Sequence, residues 1–484
     1  MSFVPGRVLV IGLGSVSRCT LPLLFKHVPL DPGNYTVIDF GDPGDDARWV
    51  KDQGAHFLQQ RITKDNYARI FAEHVGPGDL IVDLAWNLET AALLDWCHSH
   101  GVRYVNASVE LWDPYAGFGT EPPVQRTLYA RQMALRDMYA TWGGNKGPTA
   151  VLDHGANPGL VSHFVKAALD DIADLWLAER ATAGRGRDLV EAARRTGTYN
   201  RLAQHLNVAV IHISERDTQI SAEPKRVNEF VNTWSVEGFY EEGIAPAEMG
   251  WGTHERTLPP GAQTHDRGPG NQICLARPGC RTWVRSWVPS GDIVGMVIRH
   301  GEAFSISESL TVETGGIVVY RPTVHYAYCP ADAAIASLHE MHMRNYVLQP
   351  KHRIMGDDII SGRDELGCLL MGHPFGSWWI GSLLDIDESR ELVPHQNATT
   401  VQVAAGLLAA VQYAIEQPER GVCLPDDLPH RFVLEHAMPY LGPFISQPVD
   451  WSPLKNFVDP FNGGSELADA DMWQFQTFLV SESR

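Results

Sequence analysis

Near its start the chain reads Arg7-Val-Leu-Val-Ile11-Gly12-Leu-Gly14-Ser15-Val16-Ser17, an apolar run that turns at glycines into a segment of helical pattern. Gly12 permits the tight turn, and Gly14 lets backbone N–H groups approach a pyrophosphate. Ser15 and Val16 open the following helix, whose N-terminus favours phosphate charge. Ser17 stands where a third glycine is usual and is small enough to keep the packing close. Asp39 follows Ser17 by 22 residues, at the end of the next apolar run, 35–39. A carboxylate there accepts hydrogen bonds from a ribose 2′-hydroxyl and repels a 2′-phosphate, so the pattern predicts NAD rather than NADP.

Working outward, residues 7–11, 35–39, 80–84, 102–106 and 150–153 read as short buried strands. Amphipathic stretches lie between them, such as 89–100, closed by Gly101 as a helix C-cap. Alternating strands and helices imply an α/β fold with a Rossmann-type, doubly wound parallel sheet. Ligands in such sheets lie beyond the carboxyl ends of the strands. That rule selects Asp83, Trp86 and Asn87, then Asn106, Ala107 and Ser108, then His154, Gly155, Ala156, Asn157 and Pro158.

Beyond about residue 160 the texture changes. Runs at 208–213, 283–288, 293–298, 304–312 and 317–320 are rich in β-formers. In 304–312, Phe304, Ile306, Leu310 and Val312 share one phase and the intervening Ser and Thr residues the other, which predicts a strand with one buried face. Glu308 falls in the apolar phase and is expected to be a buried, paired, structural carboxylate. Residues 255–271, rich in Pro and Gly, read as an exposed loop. A second, α+β domain is expected from this pattern. Val401, Ala404, Ala405, Leu408, Val411 and Ile415 then repeat at helical spacing up to Pro418. The expected division is 1–158 for the nucleotide domain, 159–390 for the α+β domain and 391–484 for a C-terminal helical segment.

The chain has 484 residues, 44% hydrophobic and 20% charged, with a net charge of −19. Length and composition indicate a globular protein of more than one core. The acidic balance argues against nucleic acid or an anionic membrane as partner and permits a cationic substrate. Seven cysteines without a C-x-x-C pair suggest free thiols in a reducing, cytoplasmic setting. The apolar run 8–14 is too short for a membrane span. No phosphate-binding P-loop or nucleophile-elbow motif occurs, and His339 and His342 lack the spacing of a metal-binding H-E-x-x-H pair, so no metal is expected.

Several segments carry a family resemblance: Asn106-Ala-Ser-Val-Glu110-Leu-Trp112, Asp153-His-Gly-Ala-Asn157-Pro-Gly159, Ile213-Ser-Glu215-Arg-Asp-Thr-Gln219, Asn232-Thr-Trp234-Ser and Asp364-Glu-Leu-Gly367. Together they resemble the bacterial homospermidine synthases over nearly the whole chain. The wider fold looks like that of saccharopine dehydrogenases and carboxynorspermidine synthase, which implies that the α+β domain binds substrate and forms the dimer and that 391–484 is a helical return to the nucleotide domain. The unmatched segment 184–200 reads as a helical insertion. The resemblance implies a homodimer that uses and regenerates NAD within one cycle. One putrescine is oxidised to an imine and ammonia is lost, a second putrescine adds, and the new imine is reduced to homospermidine; in the alternative, putrescine and spermidine condense with release of a diamine.

A diamine is dicationic at neutral pH, so its site requires carboxylates and gains from an aromatic face. The resemblance selects Trp234 for that face and places Asn157 near the nicotinamide as an orienting partner. Glu215, expected just past the strand 208–213, would aim a carboxylate into an interdomain cleft. Glu110, Glu242, Asp364 and the pair His300-Gly-Glu302 complete the acidic set. The reacting amine must be neutral, so a base is needed, either His300 or a carboxylate raised by burial. Two alternatives remain. A saccharopine-dehydrogenase-like or carboxynorspermidine-type reductase would need arginines in the cleft, with Arg299, Arg344, Arg353 and Arg363 as candidates. A non-catalytic NAD-binding sensor would lack the acidic cleft.

Overall fold

The structure is a computed structural model and describes residues 4–41, 44–179, 184–455 and 471–480. Its first layer is a seven-stranded, wholly parallel sheet. The strands are β1 (Val8–Ile11), β2 (Tyr35–Asp39), β3 (His56–Gln59), β4 (Leu80–Asp83), β5 (Arg103–Asn106) and β6 (Ala150–Val151), with the late strand Val422–Cys423 beside β6. Apolar runs such as Val8–Ile11 and Leu80–Asp83 are buried throughout, as a sheet covered on both faces requires. β3 escapes the periodicity because it is an edge strand with half-exposed and exposed side chains.

β1 pairs with β2 on one side and β4 on the other. The order therefore reverses beside β1, which opens a crevice above its carboxyl end. Gly12, at φ +90°, makes the turn there; a Cβ would approach the Leu84 carbonyl oxygen to 3.0 Å. The helix α1 (Ser15–His27) follows and packs on the helix Ala398–Glu416. That later helix is long and apolar enough to cross a membrane by composition alone, but most of it is buried in the core.

The second layer is a ten-stranded mixed sheet. At its centre β7 (Val210–Asp217) runs parallel to Thr323–Cys329 and antiparallel to Arg363–His373. Phe444–Val449 joins the same sheet beside Gly376–Asp385. The helix Leu160–Glu179 connects the layers, and one continuous apolar core runs from α1 through this helix to β7. All seven cysteines are free thiols.

Two local expectations are corrected. Residues 304–312 do not form a strand: Gly301–Ser309 is a helix, and a separate strand Val312–Thr314 follows. The alternation misleads because Phe304, Ser305, Ile306 and Ser307 are all buried, so the serines mark close packing rather than a solvent face. Gly250 meets Ser307 so tightly that a Cβ there would lie 2.5 Å from the serine's own. Glu308 accordingly lies on a helix, half-buried, and is paired with Arg136. The second correction is that β7 continues to Asp217, which places Glu215 within the strand and not beyond it. Arg185–Thr196 is a helix, within the segment read as a helical insertion.

Candidate active site

A cleft of about 320 Å³ lies between the carboxyl ends of the parallel strands and one face of the mixed sheet. Gly14, Ser15, Val16, Asp83, Trp86, Ala107, Ser108, Gly155, Ala156 and Pro158 line its nucleotide side, and Glu110, Asn157, Glu215, Trp234, Glu242 and His300 line the remainder. Nothing lies within 4 Å of a Cβ placed on Gly14, so the turn opens into free space, and no acidic residue occupies the first turn of α1. Both features suit a pyrophosphate held by backbone N–H groups.

Not every expected residue reaches the cleft wall. Gly12 lies under the turn. Asp39 accepts hydrogen bonds from the N–H groups of Leu13 and Gly41, each at 2.7 Å, and so braces the glycine turn from the end of β2. Asn87 donates its N–H to Glu110 at 3.5 Å. Asn106 is buried and accepts the N–H of Asp153 at 2.9 Å. His154 is buried with its Nε2 3.0 Å from that of His163, and burial lowers its pKa to about 4. Glu302 and Asp364 are also fully covered. Glu302 sits behind His300 at 3.4 Å, and Asp364 accepts from the Thr399 hydroxyl at 2.6 Å.

Glu215 is held from two sides. The Asn157 amide donates to its Oε2 at 2.6 Å and the Tyr326 hydroxyl to the same atom at 2.5 Å. Burial pushes this carboxyl up to about 7, against the pull of the Tyr326 hydroxyl. Trp234 is half-buried, with its ring against Phe239 and its Nε1 donating to the Tyr328 hydroxyl at 3.0 Å.

His300 Nε2 lies 2.9 Å from Glu242 Oε2. Burial alone would lower the imidazole pKa, but Glu242 and Glu302 outweigh it and hold the group well above its ordinary value. Asp153, which lines the cleft, is raised to about 7 by burial and then by Glu302. Asp83 is likewise raised to about 7, mainly by burial, while accepting from the Tyr104 hydroxyl at 2.7 Å. Burial and Glu241 raise Glu110.

Two guanidiniums line the cleft, and both are bound to one carboxylate. Arg131 donates to Glu241 Oε1 at 2.6 Å, and Arg299 donates to the same oxygen. Burial would raise Glu241, but Arg299 and Arg131 prevail and hold it at about 2. The remaining arginine candidates lie elsewhere: Arg344 bonds to Asn228 and the Val347 carbonyl, Arg353 pairs with Glu229 and Asp358, and Arg363 pairs with Glu365.

Residues 8–151 match the saccharopine dehydrogenase NADP binding domain family, and residues 155–448 match the saccharopine dehydrogenase C-terminal domain family. The chain is 41% identical to the homospermidine synthase of Blastochloris viridis, covering 99% of this chain and 98% of that one. The chain belongs to the homospermidine synthase family. A second member, from Mesorhizobium japonicum, is 38% identical over 99% of this chain and 97% of its own. The crystal structure of the homospermidine synthase from Legionella pneumophila in complex with NAD superposes with a TM-score of 0.84, at 35% identity and 98% coverage of each chain.

Within this homospermidine synthase fold, the features that escaped the sequence reading are those built from distant partners. Arg131 and Glu241 are 110 residues apart, and no local spacing announces their pairing. Tyr326 and Tyr328 did carry a signal, since residues two apart on a strand share a face. Asp153 stands beside residues read as cofactor contacts and is itself a cleft carboxyl.

Proposed function

We propose that this protein condenses two putrescines, or putrescine and spermidine, to homospermidine, with NAD used and regenerated within the cycle. The observation that carries the reading is the charge arrangement of the cleft. Its acidic groups include Asp83, Glu110, Asp153, Glu215 and Glu242, whereas its two guanidiniums are both engaged by the Glu241 carboxylate. A dicationic diamine matches that wall. A substrate bearing carboxylates would require a guanidinium able to receive it, and Arg131 and Arg299 are engaged, which disfavours the saccharopine-type reading.

The Gly12–Gly14 turn, the N-terminus of α1 and Asp39 are the groups that would hold NAD, which when bound accepts a hydride and returns it. Residues on the opposite wall do the rest. Trp234 offers a π face to an ammonium or iminium, worth about 0.5–2 kcal/mol. Glu215 supplies a fixed acceptor beside it. Its raised pKa suits it to take a proton from the reacting amine near neutrality. The imidazolium at His300, held between Glu242 and Glu302, is a proton store at the cleft wall. Asp364 and Glu302, being covered, act through Thr399 and His300 rather than on the substrate.

We read the enzyme as cytoplasmic and homodimeric, in keeping with its free thiols and the expectation for the family. Calorimetric titration of the NAD-loaded protein tests the substrate class. Putrescine should bind, and glutamate or 2-oxoglutarate should not. Binding of the dicarboxylates in place of the diamine would transfer the chain to the reductase reading.

A further inference from the structure

Tyr326 and Tyr328 were not among the expected site residues, yet they touch Glu215 and Trp234. Two residues apart on the strand Thr323–Cys329, they project to the same face, with ring centroids 5.0 Å apart and planes 10° from parallel. Tyr326 donates to Glu215 Oε2, the atom that Asn157 also serves. Glu215 Oε1 takes no hydrogen bond from any described residue, although the Tyr326 ring and His300 ring are only 4.4 Å apart. Tyr328 receives the indole N–H of Trp234. One tyrosine therefore holds the carboxylate, the other holds the indole, and the stack fixes the distance between them.

We propose that Tyr326 is a positioning residue: with Asn157 it fills one oxygen of Glu215, so that the carboxylate presents only its other oxygen to the cationic nitrogen of a diamine, while Tyr328 holds the neighbouring Trp234 ring. This rests on the diamine reading given above. A carboxylate clamped through one oxygen cannot rotate freely, so its free lone pairs keep one direction.

The groups facing Glu215 are Asp217 on its own strand, Asp364 on Arg363–His373, and His300 just before the helix Gly301–Ser309. The two tyrosines on Thr323–Cys329 complete the set. Burial, then Asp217, push the carboxyl up; the hydroxyl of Tyr326 and the amide of Asn157 pull it down. Loss of the Tyr326 hydroxyl therefore raises it.

The test is a carboxyl titration by NMR on the full-length, NAD-loaded protein with ¹³C-labelled glutamate, the Glu215 signal being assigned from Glu215→Gln. In Tyr326→Phe the midpoint should rise by about one pH unit, the scale of a hydrogen bond to a charged group. The acid limb of kcat/KM for putrescine should follow it, with little change in melting temperature. Replacement of Tyr326 by 3-fluorotyrosine, a stronger donor of nearly the same shape, should move the midpoint down and covers the case in which the Phe variant folds poorly. Tyr328→Phe should change Trp234 fluorescence and leave the Glu215 midpoint in place. A midpoint unmoved by both changes at position 326 would overturn the proposal. The titration needs no diamine, so it decides on Tyr326 separately from product formation, whose failure would count against the functional reading alone.

Discussion

His300 Nε2 and Glu242 Oε2 lie 2.9 Å apart at the wall of the cleft, with the buried Glu302 carboxylate on the other ring nitrogen at 3.4 Å. Because the folded pKa of His300 is raised above its unfolded value, the pair contributes stability below about pH 6.5, the unfolded value. That contribution is lost as pH rises through the raised folded pKa. Glu242→Gln should therefore cost about 1.5–3 kcal/mol at pH 6 and progressively less at alkaline pH. Urea unfolding at several pH values measures this, and a pH-independent loss would remove the imidazolium from the account.

Glu241 stands between Arg131 and Arg299, and its removal should be more damaging. Glu241→Gln leaves two buried guanidiniums without their counter-charge, which should cost about 3–5 kcal/mol. It should also weaken diamine binding by exposing positive charge in the cleft. Denaturant unfolding and putrescine titration of the same variant check both effects.

Much of this architecture is legible in the sequence because it is local. The Gly12–Gly14 turn, Asp39 and the buried strand runs each depend on neighbours within one β–α unit, so spacing alone conveys them. The region 301–309 defeats the same reasoning: when both faces of a segment are buried, alternation of Ser with Phe and Ile no longer distinguishes strand from helix. The ion triad at Glu241 and the Tyr326–Glu215 bond join segments from 58 to 111 residues apart. Such contacts are products of the tertiary fold and leave no periodic trace.

At the nucleotide end, Asp39 is expected to confer a preference for NAD over NADP, although the matching domain family is described as NADP binding. Its carboxylate is tied to the N–H groups of Leu13 and Gly41, directly at the edge of the turn. Intrinsic-fluorescence titration should give tighter binding of NAD, and Asp39→Asn should narrow the gap. Equal affinities in the wild type would remove the role given to Asp39.

Trp234 is half-buried and its ring lines the cleft, so a π role and a packing role predict different outcomes. Trp234→Phe should bind NAD normally and lose about 0.5–2 kcal/mol of transition-state stabilisation in kcat/KM. A lowered melting temperature with unchanged activity per folded molecule would assign the ring to packing instead.

In this enzyme one cleft oxidises a diamine and reduces the condensed imine without releasing reducing equivalents. Incubation of the protein with NAD and putrescine alone, with quantification of polyamines, ammonia and free NADH, tests it most directly. Homospermidine and ammonia are expected in equal amounts, far exceeding any NADH in solution. Accumulation of NADH in step with product, or oxidation of putrescine with no homospermidine formed, would contradict it.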